Sequence, residues 1–162
     1  PIVSVETTFS IDAAPPDEIE AILTFNGTTE PSIWYDTSTL SPGEDLRFSL
    51  QADATSLSSG HYAYQVDLVA HYFSGTATRR FTGYQDIVNR NTSEFGVGWN
   101  VEDLDRLVKQ GSNVLYVHGD AETGWFTDGG GGNFTSPSGP MASNTLIKNA
   151  DNTFTLTTRH GF

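Results

Sequence analysis

Three acidic side chains in the second half of the chain are the clearest candidates for metal chemistry. Asp120, Glu122 and Asp128, with Asn133 nearby, lie in a turn-rich, glycine-rich stretch. Ca²⁺ prefers carboxylate and carbonyl oxygens and tolerates irregular geometry. The spacing does not follow an EF-hand loop, and acidic side chains in loops usually face water. A calcium site is therefore one hypothesis here and a solvated acidic turn is the other; no further cofactor is expected.

The histidines and serines follow no recognised catalytic or zinc-binding pattern. The four histidines, none of them in a His-Glu-x-x-His arrangement, are His61, His71, His118 and His160. A Gly-x-Ser-x-Gly pentad is also absent. A triad could be assembled from distant residues, but the sequence does not select one. Catalysis is therefore not predicted, and a hydrolytic or self-processing domain is a minor alternative.

Four consecutive glycines, Gly129 to Gly132, have the composition of a phosphate-binding loop. Such loops are normally followed by Lys-Ser or Lys-Thr, which this chain lacks at that place, and the neighbouring charges are acidic. We interpret the glycines as the tip of a β-hairpin.

Tryptophan and tyrosine side chains suggest a sugar-binding role if they are exposed. Trp34 with Tyr35, and Trp99 with Trp125, could stack on sugar rings as aromatic side chains do at binding sites. Core packing is the interpretation that we favour for all four side chains, particularly for Trp99, because an adjoining glycine such as Gly98 lets backbone pass close to an indole. On that interpretation, Trp99→Ala would destabilise the protein by about 3 to 5 kcal/mol.

Composition limits the classes of partner. The 162 residues include 20 acids and 8 Lys or Arg, for a net charge of −12. This charge repels phosphate backbones, so nucleic acid is not an expected partner. No apolar run approaches the about 18 residues that span a bilayer, so membrane insertion is not expected. The absence of cysteine excludes disulfides and thiolate metal sites.

The first 90 residues carry strand signals separated by turns. Residues 46–50 and 62–72 alternate apolar and polar side chains, the pattern of half-buried strands. Other predicted strands are 3–9, 19–25, 32–35 and 76–84. Residues 14–23 also fit a helix that begins after two prolines. We predict an antiparallel sandwich of immunoglobulin or fibronectin type over residues 1–90.

Residues 91–162 show shorter, hairpin-like strand signals. Strands are predicted at 114–117, 125–127, 133–135, 145–148 and 153–157. Residues 100–109 fit either a helix capped by Asn100 or a strand.

Ordered motifs in this second segment resemble a known family. They are Gly96-Val97-Gly98-Trp99, Leu104-Asp105-Arg106-Leu107, Val114-Leu115 and Gly119-Asp120. In this order they resemble the entry segment of an RHS or YD-repeat region, although the Tyr-Asp repeats of a full shell are absent. The resemblance implies a β-meander over residues 91–162, cut from a longer secreted or cell-surface bacterial protein. It also implies that partner strands for residues 159–162 lie outside this chain.

The sequence therefore predicts an all-β protein: an antiparallel β-sandwich followed by a β-hairpin meander. We expect a non-catalytic structural or adhesion module located outside the cell or on its surface. Its expected partners are the remainder of a larger parent chain and a surface glycan or protein. The alternatives are a calcium- or carbohydrate-binding module, or a self-processing domain.

Overall fold

The computed structural model describes residues 1–8, 14–120 and 122–158. These residues form β-strands and turns, with no helix among them and hence none able to cross a membrane. The all-β prediction is confirmed. The strands are β1 (Ile2–Thr8), β2 (Glu18–Phe25), β3 (Thr28–Thr29), β4 (Ile33–Asp36), β5 (Asp45–Gln51), β6 (Gly60–Tyr72), β7 (Gly75–Ile87), β8 (Arg106–Gln110), β9 (Asn113–Val117), β10 (Thr123–Gly130), β11 (Asn133–Thr135), β12 (Thr145–Lys148) and β13 (Phe154–Thr157).

The chain divides into two compact units. The first contains Pro1–Ser56 and Tyr62–Gln85, and the second contains Leu57–His61 and Asp86–Phe162. The inclusion of Leu57–His61 in the second unit has no counterpart in the sequence pattern, which suggested a single change of segment near residue 90.

The first unit contains two antiparallel sheets. One pairs β1 with β5, and the other has the order β3-β2-β6-β7, with β4 also paired to β2. Alternation along β2 buries Ile19, Ala21, Leu23 and Phe25, and Phe48 of β5 is also buried in the core. The helix alternative for residues 14–23 is wrong, because β2 pairs with β6 along its whole length. The finer immunoglobulin or fibronectin topology stays a prediction.

A tight turn joins β2 to β3. Asn26 and Gly27 both have positive φ angles, 47° and 79°. This is the backbone geometry that Asn-Gly favours between paired antiparallel strands. The turn separates two strand segments, as the turns between strand signals were expected to do.

The second unit is a six-stranded meander in which sequential strands β8 to β13 are neighbours. Its core cluster lies on one face of the sheet and contains Val114, Tyr116, Phe126, Met141 and Leu146. Residues 106–110 form a strand, and Asp103 has a φ of 62°, which a right-handed helix does not allow. The strand alternative for residues 100–109 is thus confirmed from residue 106 onward. The prediction about residues 159–162 lies outside the described residues.

Candidate functional site

The outer face of the β3-β2-β6-β7 sheet carries aromatic and polar side chains in cross-strand rows. Glu20 of β2 lies between Trp34 of β4 and Val69 of β6, and Thr24 lies opposite Gln65. Because the alternate residues of β2 fill the core, these side chains stand on the opposite side of the sheet. We call this surface the outer face.

Trp34 is an exposed aromatic side chain of the outer face whose ring packs on a neighbour. Its ring centroid is 4.9 Å from that of His71, with the two planes tilted by 35°. His71 Nε2 is 3.6 Å from Glu20 Oε2 and makes no hydrogen bond to the described residues. Packing against His71 orients the indole, yet 51% of Trp34 remains exposed. An exposed and oriented indole is suited to stacking on the ring of a ligand.

A charged network lies on the same face. Arg80 donates to both carboxylate oxygens of Asp67, at 2.7 and 3.1 Å, and Gln65 Nε2 donates to Oδ2 at 2.8 Å. The hydrogen bond from Arg80 holds the pKa of Asp67 below its usual value, against the opposing effect of burial. The Asp67 carboxylate therefore stays charged, and the network offers fixed donors and acceptors.

A shallow recess of about 510 Å³ opens beside this network. Thr24, Gln65, Thr82 and Tyr84 are among its lining residues, and Tyr84 is 65% exposed. Val69, in the Trp34 row, and Ala63, at the recess, are six positions apart along β6. At about 3.3 Å per residue, this corresponds to about 20 Å along the sheet. The face therefore has an aromatic side chain near each end and hydrogen-bonding groups between them.

The favoured interpretation of Trp34 as a core side chain is wrong, because its indole stands on the outer face and is half-exposed. Sequence reasoning named Trp34 as a possible sugar contact but missed His71, Glu20 and Arg80 as its companions. Alternation in β6 does place Gln65, Asp67 and His71 on one side. The alternation does not reveal which residues of β2 and β4 lie beside them, since that depends on the register between strands.

The expected core position of Trp99 is wrong. Trp99 is 70% exposed, and it belongs to a run of exposed apolar side chains that we call the 95–104 segment: Phe95, Val97, Trp99, Val101 and Leu104. Gly96 and Gly98 have φ angles of 111° and 80° and support successive turns, closed by bonds such as Trp99 N to Gly96 O. Both glycines serve turn geometry, and the indole lies beside Gly96 without being buried.

Trp125 packs within the second unit. Its ring stacks on His61 at 4.7 Å with an angle of 9°, and His61 Nδ1 is 2.6 Å from Asp86 Oδ1. His61 N also donates to Gln110 Oε1 at 2.8 Å. One face of Trp125 is therefore covered by protein, so this indole is a weaker ligand platform than Trp34.

The three calcium candidates do not form one site. Asp120 and Glu122 precede β10, and Asp120 Oδ1 accepts a hydrogen bond from Glu122 N at 3.0 Å. Asp128 lies near the other end of β10, where its Oδ1 accepts from Gly130 N at 2.8 Å. Glu122 and Asp128 are six positions apart along extended strand, which corresponds to about 20 Å. This distance is far larger than the coordination sphere of one Ca²⁺ ion. No group of three His, Cys, Asp or Glu within the described residues could hold a metal ion.

Asp105 links the Leu-Asp-Arg-Leu motif to the Gly-Asp motif. Its carboxylate accepts hydrogen bonds from the Tyr116 hydroxyl at 2.7 Å and from Gly119 N at 3.0 Å. Burial and then Asp105 raise the pKa of Tyr116, so this phenol stays a donor. His118 Nδ1 is 2.7 Å from Asp120 Oδ1. The Leu-Asp-Arg-Leu and Gly-Asp motifs are therefore joined in space by side-chain contacts.

Comparisons with family models, with curated proteins and with solved structures found no match to this chain.

Proposed function

We propose that this protein is a non-catalytic adhesion module that binds neutral sugar rings on its outer face. The observation that carries the proposal is the half-exposed Trp34 indole, oriented by His71 on a sheet surface with hydrogen-bonding groups nearby. Sugar recognition combines stacking of an apolar ring face with hydrogen bonds to hydroxyl groups. Asp67, Arg80 and Gln65 supply donors and acceptors for such bonds.

The charges of the outer face favour a neutral ligand. Glu18, Glu20, Asp36 and Asp67 belong to its rows, and Arg80 is paired with Asp67. This acidic surface repels anionic ligands, in keeping with the net charge of −12. Neutral hydroxyl-rich ligands avoid that repulsion and use the carboxylates as acceptors.

The resemblance of residues 91–162 to an RHS entry segment supports a surface location. In this proposal the module belongs to a long secreted or cell-surface protein, and the sandwich presents the sugar-binding face. The remainder of the parent chain is then its structural partner.

A neutral-glycan array tests this function, with bound hits measured again by calorimetry. We expect wild-type protein to bind a subset of neutral glycans and Trp34→Ala to lose that binding. Trp99→Ala is the matched control, because it removes another exposed indole remote in sequence from the outer face. Equal binding by wild-type protein and Trp34→Ala, or no bound glycan at all, would contradict the proposal.

A scaffold role is the second candidate, favoured by the 95–104 segment. Five apolar side chains exposed within ten residues form a surface of the kind that contacts other protein. The parent chain would supply the covering segment. In a longer chain that includes it, Trp99 fluorescence should shift to the blue; an unchanged spectrum would count against this role.

A further inference from the structure

We propose that a recess in the meander binds a carboxylate-bearing sugar, such as a uronic acid. The recess has a volume of about 330 Å³ and lies within the second unit. Its lining includes Lys109, Lys148, Phe134, Phe154, Gly132 and Asp128. We call it the lysine recess; it is distinct from the outer face and does not depend on the function proposed there.

Strand order brings the two lysines to one phenyl ring. Lys148 of β12 lies directly opposite Phe154 of β13. Lys109 belongs to β8, at the other end of the strand order, yet its Nζ lies 5.5 Å from the centroid of the Phe154 ring. The meander therefore curls enough for side chains of its first and last strands to meet. The Lys109 ammonium therefore lies over the Phe154 ring, and Lys148, the cross-strand partner of Phe154, lines the same recess.

The charges of the lysine recess contrast with those of the rest of the chain. Lys109 and Lys148 are the only lysines in a protein with 20 acids. Among the described residues, no carboxylate lies within ion-pairing distance of either ammonium group. Unpaired cations on an aromatic wall attract an anion, and at physiological salt the distant acids are screened beyond about 8 Å.

The glycine turn between β10 and β11 forms one wall of the lysine recess. Gly130, Gly131 and Gly132 have φ angles of 84°, 61° and 85°, a conformation that residues with side chains rarely adopt. Gly132 O accepts a hydrogen bond from Lys148 N at 2.7 Å, which ties the turn to β12. This wall carries backbone groups and no bulky side chains, so the opening stays accessible.

The three kinds of group in the recess specify the ligand. The lysines suit a carboxylate, and Asp128 can accept from hydroxyl groups. Phe134 and Phe154 pack partly against the core and line the recess with the rest of their rings, which suits the apolar face of a sugar. Inorganic phosphate has no apolar face to pack on the rings. An acidic sugar has a carboxylate, an apolar ring face and hydroxyl groups, so it can use all three kinds of group. Its size suits a recess whose volume is near the lower end of the range found for ligand pockets.

Titration of ¹⁵N-labelled full-length protein with sodium glucuronate tests the proposal by NMR. We expect saturable millimolar binding, with amide shifts concentrated at Gly131, Gly132, Lys148 and Phe154. Lys109→Gln and Lys148→Gln should each bind glucuronate roughly tenfold more weakly. Arg47→Gln is the control, since it removes the same charge from an exposed pair with Glu6 in the first unit.

Glucose, phosphate and a short glutamate peptide are titrated alongside. Glucose should bind much more weakly than glucuronate. Phosphate and the glutamate peptide should also bind more weakly than glucuronate. Binding of phosphate or peptide as tight as that of glucuronate would overturn the sugar assignment. Absence of saturable shifts in wild-type protein would overturn the site itself, whatever the folding of the variants. The site would also be overturned if folded Lys109→Gln and Lys148→Gln variants bound glucuronate as tightly as wild-type protein does.

Discussion

The three tryptophans have three different environments, although their side chains are chemically identical. Trp34 packs on His71 and stays half-exposed, Trp125 is stacked against His61, and Trp99 lies largely in solvent. Neighbouring residues in sequence do not reveal these differences. Each environment depends on which strand or turn places a partner ring beside the indole.

The exposure of Trp99 predicts a small effect on stability when it is removed. Trp99→Ala should change the free energy of unfolding by no more than about 0.5 kcal/mol, as surface substitutions usually do. Phe126→Ala, at a fully buried site of the meander core, should cost about 3 to 5 kcal/mol. Urea denaturation compares the two variants. A large loss for Trp99→Ala would show that the indole packs against protein after all.

His118 should give the protein a modest pH-dependent stability. The hydrogen bond with Asp120 raises the pKa of His118 above its ordinary value of 6.5. The hydrogen bond from Glu122 N, and after it the contact with His118, lower the pKa of Asp120 below 3.8. The pair therefore stabilises the folded state fully between these two values. The stabilisation falls as the pH rises through the folded pKa of His118, and also as the pH falls through that of Asp120.

Melting temperatures of wild-type protein and His118→Gln should consequently differ most between about pH 4 and pH 6.5 and converge once the pH rises above the folded pKa of His118. The difference should be small, because the His118 side chain is 42% exposed and solvent screens the pair. A difference that grows with increasing pH would contradict this assignment.

Side-chain contacts between neighbouring strands explain why the Leu-Asp-Arg-Leu and Gly-Asp motifs occur together. Asp105 precedes β8, and Tyr116 and Gly119 lie on or after β9, so the contacts of Asp105 join the start of one strand to the end of the next. A side chain at position 119 would meet the backbone of Asp103. The glycine is therefore required by a close approach of two chain segments.

The glycine turns should differ in their tolerance of substitution. A Cβ at Gly132 would lie 2.7 Å from Lys148 O, whereas a Cβ at Gly27 meets nothing within 4 Å. Both residues have positive φ, so alanine is strained at either place by about 1 kcal/mol. Gly132→Ala should therefore cost at least about 1 kcal/mol more than Gly27→Ala in chemical denaturation. Equal costs would mean that the turn shifts freely away from β12.

For the whole molecule, the excess of acids predicts a general response to cations. With a net charge of −12 and the calcium candidates apart, Ca²⁺ should act mainly by screening repulsion between carboxylates. Ca²⁺ and Mg²⁺ at equal millimolar concentrations should then raise the melting temperature equally. A larger shift with Ca²⁺, abolished by Asp120→Ala, would instead support a calcium site.

Much of the strand pattern can be predicted from the sequence, because alternation and turn residues act locally. Residues 62–72 alternate and lie within β6, and the Asn26-Gly27 turn lies where its residues favour one. Residues 14–23 and 100–109 fit the residue spacing of a helix and also that of a strand. The pairing of β2 with β6 and of β8 with β9 shows that both segments contribute strands.

Both candidate binding surfaces depend on contacts between residues distant in the chain. Trp34 and His71 are 37 residues apart, and Lys109 and Phe154 are 45 apart. Alternation assigns each side chain to a face of its own strand, so most strands and many turns are predictable from local residue order alone. Strand order and register decide which faces adjoin, because they arise from the packing of the whole sheet. The folded sheet is thus what brings Trp34 beside His71, and Lys109 and Lys148 together at Phe154.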